Sequence, residues 1–170
     1  VNWRPHTKCP KVPAIAHQLI DAGAIGITCA KLGEAEVMTA AGIRSILIAN
    51  QIVGPTKINR LVNLAPRAEV IVAVDNPDNV AALDASARSK GIRLKVVIEV
   101  NTGMDRAGVE PGSPVTDLAA IISRCQGLHF AGLMGWEAHT IRFVDPVEKE
   151  RAVAEAVNKL ADSAERCRKQ

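Results

Sequence analysis

Reactive side chains gather at a few points along this 170-residue chain. They are Arg4-Pro5-His6-Thr7-Lys8, Thr28-Cys29-Ala30-Lys31, Asn50-Gln51, Asp75-Asn76, Asn101 through Arg106, and Trp136-Glu137-Ala138-His139. Each follows or ends an apolar run. A lysine amine walled by apolar groups and close to other cations has a lowered pKa and attacks an aldehyde as a nucleophile. By position alone Lys8, Lys11 and Lys31 compete for that role, since most lysines are simply solvated surface groups. His6 and His139 have the chemistry to orient a ligand or move protons near neutral pH. His129 lies earlier in its run and reads as structural, and His17, within a helical pattern, reads as a surface residue. Arg106 is either a fixed cation for a ligand or a surface partner of Asp105. Trp136 is either a wall of a site or ordinary core packing.

The elements that must position these groups follow one pattern. Strand-like runs recur at Ile25 to Ala30, Ser45 to Asn50, Glu69 to Asp75, Leu94 to Val100 and His129 to Gly135, each followed by a helical pattern. Runs such as Val70 to Val74 do not alternate with polar residues, as expected of parallel strands covered on both faces. Asn76-Pro77, Ser113-Pro114 and Asp145-Pro146 are helix starts, a capping side chain preceding proline at the first helical position. Gly91 and Gly127 close two of the helices. Val153, Ala156, Val157, Leu160 and Ala164 form a stripe at helical spacing in the last segment.

Alternating strands and helices mean a parallel α/β sheet, either an open doubly wound sheet or a closed barrel, with reactive groups at the C-terminal strand ends. Counting a first strand through Asn2 to Lys8 gives about six β/α units, against the eight of a complete barrel of roughly 250 residues. Composition alone does not choose between the two; if the fold is a parallel β/α barrel of the TIM type, about two strands are missing, it is incomplete at both ends and its wall has a gap. Nothing along the chain divides it into two domains.

The 21 basic and 18 acidic residues alternate and leave a net charge of +3. No basic block marks a nucleic-acid surface, and two Phe, two Trp and no Tyr are too few for base stacking. The apolar runs are too short for a bilayer, so no membrane partner is expected. Cys9, Cys29, Cys125 and Cys167 form no CxxC pair, which argues against a structural zinc site or a disulfide scaffold and suits a reducing, cytoplasmic location. The chain opens on Val1 without an apolar signal segment, which suggests further sequence upstream.

The order and wording of the motifs go further. Arg4-Pro5-His6-Thr7-Lys8 resembles the RPHxK segment of the D-threonine aldolase and D-serine dehydratase group. The resemblance continues through Thr28-Cys29-Ala30-Lys31-Leu32-Gly33-Glu34-Ala35-Glu36, Ile48-Ala49-Asn50-Gln51 and Asn101-Thr102-Gly103-Met104-Asp105-Arg106. It covers nearly the whole chain. What it implies is an alanine racemase type of N-terminal barrel in which a lysine on the first strand, here Lys8, forms a Schiff base with pyridoxal 5'-phosphate. Arg106 would approach the cofactor's phenolic oxygen, and Asn50, Trp136, His6 and His139 would complete the site. Trp136 departs from the pattern, because related aldolases often carry tyrosine there, and a hydroxyl acid/base role is lost.

The resemblance implies a lyase acting on small D-amino acids. An aldolase would break the Cα–Cβ bond, whereas a dehydratase would remove the α-proton and expel the β-hydroxyl. A divalent metal, bound through ligands outside this sequence, and a homodimeric full-length parent are also implied. The glycine-rich phosphate-binding segment and a C-terminal β domain are expected beyond residue 170. An amino-acid racemase of the alanine racemase type and a non-catalytic pyridoxal phosphate-binding protein are the alternatives.

Overall fold

The computed structural model describes residues 2–169. One sheet contains β1 (Ile27–Cys29), β2 (Ser45–Gln51), β3 (Glu69–Val74), β4 (Leu94–Val100) and β5 (Leu128–Gly135). Helix α1 (Pro13–Asp21) precedes β1. Successive strands are joined by α2 (Leu32–Ala40), α3 (Pro55–Leu64), α4 (Pro77–Ser89) and α5 (Ser113–Ser123), and α6 (Pro146–Arg168) follows β5.

All neighbouring strands run parallel in the order β1-β2-β3-β4-β5. A doubly wound sheet reverses its order at a switch point. Strictly sequential order is that of a barrel wall. The sheet does not close among the described residues, and β5 has one free edge.

One face of the sheet carries the core. Ile46 and Ile48, Val70 and Val72, and Leu94, Val96 and Ile98 pack with Leu61, Leu83, Leu118 and Ile122 from the helices. Alternate residues on the same strands lie outside this cluster, as the two-residue period of a strand requires. On that inner face the middle positions are apolar, at Leu47, Ile71 and Val97. Both ends are polar. At the N-terminal end the Arg4 guanidinium donates to Ser45 Oγ at 3.2 Å, and Ser45 Oγ donates to Glu69 Oε2 at 3.0 Å. Lys95 also pairs with Glu69.

The expected strand through residues 2–8 is reduced to a parallel bridge between His6 and Thr28. The segment still runs along β1, with Thr28 N donating to Pro5 O and Thr7 N donating to Thr28 O, both at 2.8 Å. Pro5 has no N–H for the ladder, which interrupts a regular strand there. Asn76 and Asp145 cap their helices as expected, each side chain accepting two backbone N–H groups. Ser113 does not: it is already helical, and Gly112 with φ 92° occupies the cap without a side-chain bond. Helix α6 packs through Ala156 and Ser163, while Val157 is 55% exposed at the edge of the expected stripe.

Candidate active site

The C-terminal ends of the strands hold the reactive groups together. A cavity of about 430 Å³ is lined there by His6, Lys8, Asn50, Arg106 and Trp136, with Gln51 and Glu99 at its floor. A larger groove of about 600 Å³ lies outside the sheet near α3 and α4. Its apolar wall is Val53, Pro55, Ile58 and Ala82, with Asp75 and Asp78 among its polar lining, and it holds no amine, guanidinium or imidazole. The smaller cavity collects the amine, guanidinium, imidazole and indole, which makes it the candidate site.

Lys8 reaches the cavity because the segment before it is fastened to β1. Thr7 is buried and donates through both its backbone N and its hydroxyl to Thr28 O, at 2.8 and 3.0 Å. Lys8 N then donates to His6 Nδ1 at 3.2 Å, so that ring nitrogen acts as acceptor. Burial pushes the His6 imidazole below its ordinary pKa; the Lys8 charge pushes the same way, while Glu34 partly opposes both. His6 is thus held toward its neutral form. Lys8 Nζ lies 4.5 Å from the centroid of the Trp136 ring, a cation–π distance.

Lys11 is drawn away into an ion pair with Glu34 at 3.2 Å. Lys31 is exposed at the start of α2 and is not a wall of the cavity. Of the three lysines, only Lys8 lines this cavity among the described residues. Asn50 is held at the rim, its Nδ2 donating to Ala30 O at 3.1 Å.

Arg106 is carried by the loop after β4. Asn101 Oδ1 accepts from Gly103 N and Asp105 N, both at 3.1 Å, and its Nδ2 donates to Asp105 Oδ1 at 2.9 Å. These bonds hold Asp105 at φ 53°, a left-handed conformation that aspartate tolerates better than most residues. The chain then returns to β4, where Val109 N donates to Glu99 O at 2.9 Å and Asn101 N donates to Val109 O at 2.8 Å. Arg106, at the turn of this loop, places Cζ 4.3 Å from the Trp136 centroid. It faces the ring and Glu99 rather than pairing with Asp105.

His139 does not reach the cavity wall. It lies in a short 3-10 turn over residues 138–142 and packs against Gly103, where an added Cβ would stand 2.8 Å from its Nε2. Its buried Nδ1 has no partner among the described residues. His17 is exposed, as expected, with Nε2 2.8 Å from Ala41 O. Gln51 and Glu99 are the floor residues that sequence reasoning did not assign. The signal for Glu99 was a lone carboxylate inside the otherwise apolar run that ends β4.

Sequential parallel strands with an amine and a guanidinium at their C-terminal ends are the architecture of a barrel-type β/α protein. The chain belongs to the family described as alanine racemase, N-terminal domain, whose model matches residues 6–170. It is 34% identical over 165 residues to a D-threonine aldolase of Arthrobacter sp, covering 97% of this chain and 44% of that protein. It is 35% identical over 134 residues to a D-threo-3-hydroxyaspartate dehydratase of Delftia sp. (strain HT23), covering 78% of this chain and 34% of that one. The crystal structure of D-threonine aldolase from Filomicrobium marinum superposes with a TM-score of 0.97 at 40% identity, over 99% of this chain and 46% of the other. The chain thus spans less than half the length of these relatives.

Proposed function

We propose that residues 1–170 are the lysine-bearing part of a pyridoxal phosphate-dependent lyase for D-amino acids, of the aldolase or dehydratase kind. The observation that carries this reading is the convergence of Lys8, Arg106 and Trp136 on one cavity. These residues fit the aldehyde and phenol side of the cofactor. Lys8 supplies an amine for the aldehyde carbon, Arg106 a fixed cation beside the phenolic oxygen, Trp136 an aromatic wall, and Asn50 an amide at the rim. When bound, the cofactor would serve as an electron sink for bond cleavage beside the substrate's amino-bearing carbon.

The chain's own residues then have definable tasks. Lys8 holds and releases the ligand and is the group nearest to take a proton. His6, kept toward its neutral form, accepts the Lys8 backbone N–H and steadies the amine's approach. Trp136 keeps water from one side of the cavity and cannot replace a tyrosine hydroxyl in proton transfer. His139 acts at one remove, by packing under Gly103. Among the described residues no cluster of three or more His, Cys, Asp or Glu is placed to hold a metal. Metal ligands, a phosphate-binding segment, a C-terminal domain and the dimer interface are assigned on this reading to a longer parent. Among the described residues no helix is long and apolar enough to cross a membrane, and a cytoplasmic location is part of the same proposal.

Similarity to an aldolase and a dehydratase favours a lyase over a racemase. Product analysis of the full-length parent tests this. Glycine with acetaldehyde from D-threonine identifies an aldolase, and a 2-oxo acid with ammonia from D-serine or D-3-hydroxyaspartate a dehydratase. Exclusive interconversion of the alanine enantiomers would overturn the lyase reading.

A further inference from the structure

One amide beneath the cavity joins two carboxylates. Gln51 Nε2 donates to Glu99 Oε2 at 2.7 Å and to Asp75 Oδ2 at 2.9 Å. The three side chains stand at the C-terminal ends of β2, β3 and β4, so the network ties neighbouring strands together. Its existence depends on an irregularity in β2. The pairing with β3 shifts between Ile48 and Gln51, which brings Gln51 opposite Ala73 on the inner face.

Glu99 is only 4% exposed. A buried carboxylate is costly unless hydrogen-bonded and paired. Gln51 satisfies one of its oxygens, and the other lies 4.0 Å from Arg106 Nη2. That is the single ion pair of both residues among those described. Arg106 is otherwise half-exposed, and a long side chain with that freedom loses substantial rotamer entropy when fixed. Contact with the Trp136 face alone, at so exposed a site, is a weak restraint. The buried carboxylate is the immobile part of the arrangement.

We propose that Glu99, held by Gln51, is a positioning residue that fixes the Arg106 guanidinium against the Trp136 ring. Its benefit to catalysis rests on the cofactor reading above, but the placement of Arg106 does not. The protein contains two tryptophans, so Trp3→Phe leaves Trp136 as the sole indole emitter. Quenching of its fluorescence by neutral acrylamide then reports how well the ring is covered, without any cofactor.

In this background Glu99→Gln is expected to raise the quenching constant roughly twofold, because the released guanidinium uncovers a cation–π face. Arg106→Ala should give a similar rise, and the double variant no further rise, the signature of two residues acting on one contact. Gln51→Met retains both charges and frees Asp75 as well as Glu99, so a smaller rise is expected, and Asp75→Ala, which leaves the bond to Glu99 in place, should raise quenching less than Gln51→Met does. Circular dichroism establishes folding, and Gln51→Met decides alone if Glu99→Gln does not fold. Unchanged quenching in the deciding variant or in Arg106→Ala overturns the proposal, as do additive effects in the double variant. A rise in the absence of any Lys8 adduct would leave the positioning role standing and remove the cofactor reading.

Discussion

The Asp75 carboxylate accepts the backbone N–H of Gly108 at 3.0 Å, pinning the Arg106 loop to the end of a neighbouring strand. Gly108 has φ 98°, and an added Cβ would stand 2.7 Å from Asn101 N and 2.8 Å from Val100 C. Gly108→Ala therefore combines an unfavourable backbone conformation with a clash against rigid main chain. It should cost about 2–4 kcal/mol of stability. Gly91→Ala is the control, since its φ is 64° with no atom within 4 Å, and should cost about 1–2 kcal/mol. Denaturant melts of the two variants check the difference.

Lys8 is expected to be the lysine that forms a covalent adduct with pyridoxal phosphate. Borohydride reduction followed by peptide mapping should locate the adduct at Lys8, lose it in Lys8→Ala, and retain it in Lys11→Ala and Lys31→Ala. Survival of the adduct in Lys8→Ala with loss in Lys31→Ala would reverse the assignment.

The N-terminal end of the inner face should show acid sensitivity. The hydrogen bond from Lys95 holds the Glu69 carboxyl below its ordinary range, helped by that from Ser45 against the opposing effect of burial. A carboxylate with a depressed folded-state pKa contributes stability above its unfolded pKa, and loses it as pH falls through the folded value. Glu69→Gln should thus be slightly less stable than the parent at neutral pH, by under about 1 kcal/mol for so exposed a pair. The difference should vanish at lower pH. Melting temperatures of the two proteins across the acid range measure it.

Thiol chemistry should be sharply selective. Cys29 is 0% exposed, and its thiol is pushed up to about 11 by burial, against a hydrogen bond shared with the Thr7 hydroxyl. Thiolate is the reactive form. At pH 8 iodoacetamide should label exposed Cys9 while Cys29 stays unmodified until the chain is unfolded. Mass mapping of the alkylated peptides decides this, and early labelling of Cys29 would contradict its burial.

Much of the framework was legible because strands covered on both faces read as apolar runs. The run Leu94 to Val100 coincides with β4, and the other four runs in the sheet agree with their strands to within two residues at either end, whereas the expected strand through Asn2 to Lys8 is only a bridge at His6. Lys8, Asn50, Arg106 and Trp136 lie at or just beyond the ends of those runs, the family resemblance singles them out among such positions, and all four line one cavity. His139 was harder: it lies at a strand end, yet a 3-10 turn folds it under Gly103 and away from the cavity. Gln51 escaped assignment because its inward orientation depends on the shifted pairing after Ile48. The contacts of Glu99 join residues 48 positions apart or cross a loop, which no local pattern encodes.

The free edge of β5 has a bearing on how the chain behaves in solution. Eight residues, Leu128 to Gly135, end the sheet, and beside them lies an apolar groove formed by Phe130, Leu133, Val157 and Leu160. Such an edge offers unpaired amides and carbonyls as a template for another strand. In a preparation of residues 1–170 alone, light scattering should therefore rise with protein concentration, and a longer parent in which a further strand pairs with β5 should show no such rise.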